Sequence, residues 1–228
     1  MKLGERLTLD STLTEENMRF LKQLDVNYLM VGVGAAAGQK ERMPILSKLR
    51  QGDYWETKDL LDLKKWVEGF GFELFGLSHT PYHRFDKIIR GLTGRDDQIE
   101  NWCKSLRNMA QADIPMLQYN WVIDAGAWLG NWRTTGDTVG RGGARLVSFD
   151  YEVAKKVPVT DIGCITEEEM WENLTYFLKA VIPVAEEAGV KMVVHPADPQ
   201  VPSITGIARI IRSVEAYDRL FEIVPSEC

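Results

Sequence analysis

The run Val193-Val194-His195-Pro196-Ala197-Asp198-Pro199, entered from a long helical pattern that closes at Gly189, constrains this chain more than any other segment. Two β-branched residues favour a strand, and two prolines stop it, because proline has no N–H to give a sheet ladder. A helix followed at once by a short apolar strand is one unit of an α/β fold with a parallel sheet. His195 then stands at the carboxyl end of that strand. In a barrel of alternating strands and helices, this end carries the chemistry.

The rest of the chain repeats the alternation. Lys2 to Leu7 reads as a first strand, and Thr14 caps a helix to about Leu24 with Met18 and Leu21 inward. Asn27 to Val33 is a buried strand. Residues 34–58 open on Gly34-Ala35-Ala36-Ala37-Gly38 and read mostly as loop, with a short helix near Ile45 to Leu49. A helix over Lys58 to Gly69 and a strand over Glu73 to Leu77 follow. Ile99, Trp102, Cys103, Leu106, Met109 and Ala110 then recur at helical spacing, which predicts a helix from Arg95 to Ala112 with one buried face. Met116 to Trp121 is the fourth strand.

From there to residue 165 the sequence is broken by glycines and reads as irregular, a substrate lid on the strand's carboxyl end. Thr166 and Glu169 form a capping box for a helix that runs to Gly189, with a kink expected at Pro183. Lys191 to His195 is the fifth strand, followed by a loop through Ile204 and a helix around Gly206 to Val224. Five βα units in one domain over residues 1–228 predict an incomplete (β/α)8 TIM barrel, since a whole one takes ~250 residues.

The 228 residues carry a formal charge of -6, with 45% apolar and 26% charged side chains, ordinary for a globular protein. Basic residues are not gathered in blocks, which disfavours nucleic acid and leaves small-molecule chemistry as the expectation. Nothing approaches the ~20 apolar residues of a membrane span, and the amino terminus lacks a secretory pattern. Cys103, Cys164 and Cys228 are odd in number and widely spaced, so a disulfide framework is not expected and a reducing cytoplasm fits.

Several residues are candidates for chemistry. His79 and His83 follow the third strand in Ser78-His79-Thr80-Pro81-Tyr82-His83, which places them at the barrel's carboxyl face as substrate contact and proton-transfer group. Their i, i+4 spacing would suit a metal only on a helix, which Pro81 opposes. Tyr119, Asn120 and Trp121 end the fourth strand, where hydroxyl and amide suit hydrogen bonds to substrate hydroxyls and the indole suits packing on a carbon skeleton; core packing is the competing reading for Trp121. Arg133 offers a fork that matches a carboxylate, or else it is a solvated loop residue. Asp198 either orients His195, acts on a substrate hydroxyl, or simply forms the turn between prolines. Arg141-Gly142-Gly143-Ala144-Arg145 lacks the lysine and spacing of a phosphate-binding loop.

The segment from Ile182 to Pro199 closely resembles the mannonate dehydratases. Further pieces fit in order: Trp55 with Leu60-Leu61-Asp62-Leu63-Lys64-Lys65, Arg95-Asp96 with Ile99-Glu100-Asn101-Trp102, Tyr119-Asn120-Trp121, and Trp132-Arg133-Thr134. The resemblance implies a barrel of the xylose-isomerase-like kind and dehydration of D-mannonate to a 2-keto-3-deoxy sugar acid in hexuronate breakdown, with Mn2+ or Fe2+ as cofactor. It makes His195 a metal ligand; the family's cysteine, second histidine and aspartate ligands lie on later strands. Cys228 would precede the ligand cysteine, so the chain is expected to be an amino-terminal portion, inactive alone and able to form a homo-oligomer. A sugar isomerase or epimerase on a related barrel, and an inactive sugar-acid binding chain, remain the alternatives.

Overall fold

The computed structural model describes residues 3–8, 13–33, 48–123 and 134–228. Five strands make one parallel sheet in the order β1 (Gly4–Thr8), β2 (Tyr28–Gly32), β3 (Glu73–Ser78), β4 (Met116–Asn120) and β7 (Lys191–His195). β5 (Thr135–Val139) and β6 (Arg145–Ser148) form a separate antiparallel pair. The helices between the sheet strands are α1 (Glu15–Gln23), α2 (Thr57–Glu68), the short α3 (Asp86–Ile89), α4 (Arg95–Gln111) and α6 (Glu167–Ala188). This is the incomplete α/β barrel that the alternation predicts, with chain order preserved across the sheet.

The local signals act as their chemistry requires. The Thr14 hydroxyl accepts from the Asn17 N–H to cap α1, and Met18 is fully buried. Thr166 and Glu169 complete a reciprocal capping box on α6. Gly189 ends the same helix at φ 66°, a conformation that a side chain disfavours. Pro183 lies inside α6 without ending it. α4 packs against α6, and Leu60, Leu63, Leu74, Leu77, Leu106 and Phe177 join one core between helices and sheet.

Register divides the sheet into two faces. Thr8, Gly32, Ser78, Gln118 and Val193 stand side by side across the strands. Because side chains alternate along a strand, Arg6, Asn120 and His195 share that face. Leu7, Val31, Leu77 and Leu117 lie on the other face and are buried beneath the helices.

Two expectations need correction. The stretch from 122 to 165 is not wholly irregular, since β5 and β6 form a hairpin turned at Arg141–Gly143, where Gly142 and Gly143 have positive φ. Gly142 and Gly143 are turn residues, not breakers. α5 (Tyr151–Ala154) follows, capped by Asp150. The last helix, α7 (Val214–Ile223), begins later than expected: Ser213 is its cap, and β8 (Ser203–Ile204) pairs with β9 (Ile207–Ala208) across Thr205 and Gly206. Residues 48–50 are helical, and the remainder of the helix expected near Ile45 to Leu49 lies outside the described residues.

Candidate active site

The carboxyl ends of the parallel strands bring together residues far apart in sequence. Arg6 Nη1 in β1 lies 2.9 Å from His79 Nδ1, just beyond β3, and Ser78 Oγ lies 3.1 Å from the same nitrogen. A guanidinium only donates, so His79 Nδ1 accepts and the proton resides on Nε2. His79 has φ 60°, a left-handed conformation that turns the chain sharply at the strand end. Burial, with the positive charge of Arg6 and then His195 adding to it, lowers the His79 pKa to about 4. At neutral pH this ring is an uncharged N–H donor.

His195 has the complementary arrangement. Its Nδ1 lies 2.7 Å from the Pro196 carbonyl oxygen. A carbonyl only accepts, so Nδ1 holds the proton and the Nε2 lone pair remains for a ligand bond. The two imidazole rings are 6.2 Å apart, centroid to centroid. Asn120 pairs with His195 in the ladder, and its buried Oδ1 has no hydrogen-bond partner among the described residues; the same is true of Gln118 Oε1. The mouth therefore offers a cation at Arg6, a donor at His79, an imidazole lone pair at His195 and an amide acceptor at Asn120.

Other expected site residues are placed elsewhere. Tyr119 is 4% exposed and Trp121 is 3% exposed, both within the aromatic core around Phe177. Trp121 stacks on Phe177 at 5.5 Å and donates to the Met170 carbonyl at 3.2 Å, so its indole is core and not a platform for sugar carbons. The Tyr119 hydroxyl is buried beside Tyr217 and its pKa is pushed strongly upward. Strand alternation puts Asn120 toward the mouth and its two neighbours toward the helices.

His83 is exposed and donates from Nε2 to the Gly52 carbonyl at 3.0 Å. That bond engages it with the Leu49–Gly52 segment and away from the His79–His195 pair. Asp198 is exposed, and the ring nitrogen it was expected to hold is taken by the Pro196 carbonyl; the Asp198 backbone oxygen accepts from Arg209 at 2.7 Å. Arg133 lies outside the described residues. Arg6 was not a candidate by sequence, although a charged residue inside a short parallel strand is a signal that could have found it.

The donor set fits a divalent metal only in part. His195 presents an imidazole nitrogen of the right kind, with its other nitrogen held by a carbonyl as in metal-bound histidines. His79 does not, because its lone pair is engaged by Arg6. Among the described residues no three His, Cys, Asp or Glu side chains cluster to hold an ion, so no chemical step is routed through one.

Comparison with known proteins matches residues 31–163 and 160–228 to the family described as D-mannonate dehydratase (UxuA). The mannonate dehydratases of Streptococcus suis (strain 05ZYH33) and Oceanobacillus iheyensis are each 34% identical over 202 residues, covering 77% of this chain and 53% and 55% of those proteins. The chain spans about half the length of the curated relatives it matches. The crystal structure of mannonate dehydratase from Streptococcus suis serotype 2 superposes with a TM-score of 0.79 at 30% identity, covering 100% of this chain and 62% of that one. A D-psicose 3-epimerase from Clostridium cellulolyticum H10 has a TM-score of 0.51 at 13% identity, with 96% of this chain and 60% of that one covered, a likeness of fold alone.

Proposed function

Because this chain belongs to the D-mannonate dehydratase family, we propose that it serves the dehydration of D-mannonate to 2-keto-3-deoxy-D-gluconate in hexuronate breakdown. The reaction removes the proton at C2 and the hydroxyl at C3 as one water, and the resulting enol becomes the keto acid. Its difficulty is the negative charge that grows on the carboxylate as C2 loses its proton. A divalent metal, Mn2+ or Fe2+, would supply Lewis-acid stabilisation of that charge, with His195 as one of its ligands.

The chain's own residues support this reading through the mouth they form. Arg6 carries positive charge beside the site, and the neutral His79 Nε2–H donates a hydrogen bond without delivering its proton. A neutral imidazole is a suitable electrophile toward an oxygen that gains charge during reaction. Asn120 Oδ1 accepts from a substrate hydroxyl. Arg133 is proposed as a second carboxylate contact. The observation that carries the proposal is the pairing of His195, whose Nε2 makes no hydrogen bond among the described residues, with the Arg6-bound His79 at one mouth. A cytoplasmic location is part of the same proposal, supported by three free cysteines; among the described residues no helix is long and apolar enough to cross a membrane.

The test is histidine-resolved NMR of the chain titrated with Mn2+ and D-mannonate. Mn2+ is expected to broaden His195 first, and D-mannonate to shift His79 and the Asn120 side-chain amide. Absence of any response to D-mannonate, or an equal response to a neutral ketose, overturns the reading.

A further inference from the structure

A second polar site lies beneath the loop that carries His79. Thr80, Arg84, Trp102, Ser105, Leu117, Trp55 and Asp53 line a cavity of about 10 Å³ open to the centre of a water molecule. Three of its lining side chains bring polar atoms with no hydrogen-bond partner among the described residues: Thr80 Oγ1, Arg84 Nη1 and Trp102 Nε1. Arg84 is 3% exposed and Trp102 is 5% exposed. Buried donors of this kind find a partner in nearly every folded protein.

The neighbours of these atoms are already committed. Arg84 Nε donates to Gly52, and Nη2 donates to Leu49 and Gln51, leaving Nη1. Ser105 Oγ accepts from the Trp55 N–H and donates to the Asn101 carbonyl. Trp102 Nε1 can only donate, as can Arg84 Nη1, while the Thr80 hydroxyl can do either.

We propose that this cavity binds one water molecule, which accepts hydrogen bonds from Arg84 Nη1 and Trp102 Nε1 and donates one to Thr80 Oγ1. Size and charge select water. The volume is that of a single water-sized sphere, and a bound water needs two to four polar partners. Two donors, one of them a guanidinium, would also attract a small anion, but the Asp53 carboxylate lines the same cavity and acts on Arg84 with opposite charge.

The consequence concerns the active-site mouth. Thr80 directly follows His79, Trp102 belongs to α4, and Arg84 grips the Leu49–Gly52 segment. One water joins all three elements behind the left-handed turn that presents His79. It is a positioning device for the loop and makes no contact with substrate.

The experiment is water-selective NMR on the 228-residue chain, reading the Trp102 indole N–H, assigned by its disappearance in Trp102→Phe. A cross-peak to a long-lived water is expected at Trp102. None is expected at Trp121, whose indole N–H bonds to the Met170 carbonyl. Thr80→Val should remove the water signal at Trp102 while leaving the Trp121 resonance in place as the report of an intact fold, and Thr80→Ser should retain the signal. No water cross-peak at Trp102 overturns the proposal. So does a saturable shift of Trp102 on titration with bromide, which would assign the cavity to an anion. Neither result bears on mannonate chemistry, so this inference and the proposed function fail separately.

Discussion

His79 and His195 approach to 6.2 Å between ring centroids with opposite tautomers, the first protonated on Nε2 because Arg6 donates to its Nδ1, the second on Nδ1 because Pro196 accepts from it. Two identical side chains at neighbouring strand ends thus take different tasks. One is a hydrogen-bond donor. The other is a lone-pair donor.

His195→Ala is expected to weaken Mn2+ binding by on the order of 100-fold or more, since loss of even an outer partner of a metal ligand lowers affinity 10–100-fold. The strand should persist, because its pairing with β4 is made by backbone groups. Isothermal titration with Mn2+ and a thermal melt read the two effects. Unchanged affinity would remove His195 from the ligand set.

Arg6→Met removes the donor that fixes the His79 tautomer and a positive charge that lowers its pKa. The Nε2–H form should lose its dominance and the His79 pKa should rise from about 4 toward the ordinary value. The sign for stability follows. An unfolded histidine takes up its proton near 6.5 whereas the folded ring resists until about 4, so this stabilisation is fully present above 6.5 and falls by on the order of 3 kcal/mol as pH falls toward 4. Arg6→Met should shrink that acid-dependent loss. Histidine 15N shifts and urea melts at pH 4 and 7 measure both.

Trp121→Ala should destabilise the fold by about 3–5 kcal/mol, the range for deleting a large buried aromatic ring. It removes the stack on Phe177 and the bond to the Met170 carbonyl. Denaturant unfolding gives the number. A near-neutral change in stability, with loss of D-mannonate binding, would return Trp121 to the substrate site.

Among the described residues β7 is an edge of the parallel sheet, with Val193 38% exposed, so self-association is expected. Val193→Lys should reduce it. Light scattering of the two proteins at matched concentration decides, and a monomeric parent chain would contradict the expectation.

Local chemistry in the sequence determined the elements. The period of Ile99, Trp102, Leu106 and Met109, the capping box of Thr166 and Glu169, the left-handed stop at Gly189 and the proline-bounded strand at His195 each act over a few residues, and each stands in the structure as read. The hairpin at 135–148 was not legible because glycine marks a turn and a break alike. Only the tertiary structure decided the site. Arg6 and His79 are 73 positions apart and meet through the registers of β1, β2 and β3. Tyr119, Asn120 and Trp121 are consecutive, yet strand alternation and the packing of α6 send the outer two into the core and leave Asn120 at the mouth. Tautomers, too, are set by which fixed donor or acceptor the fold brings to a ring nitrogen, and that partner is invisible in a string of residues.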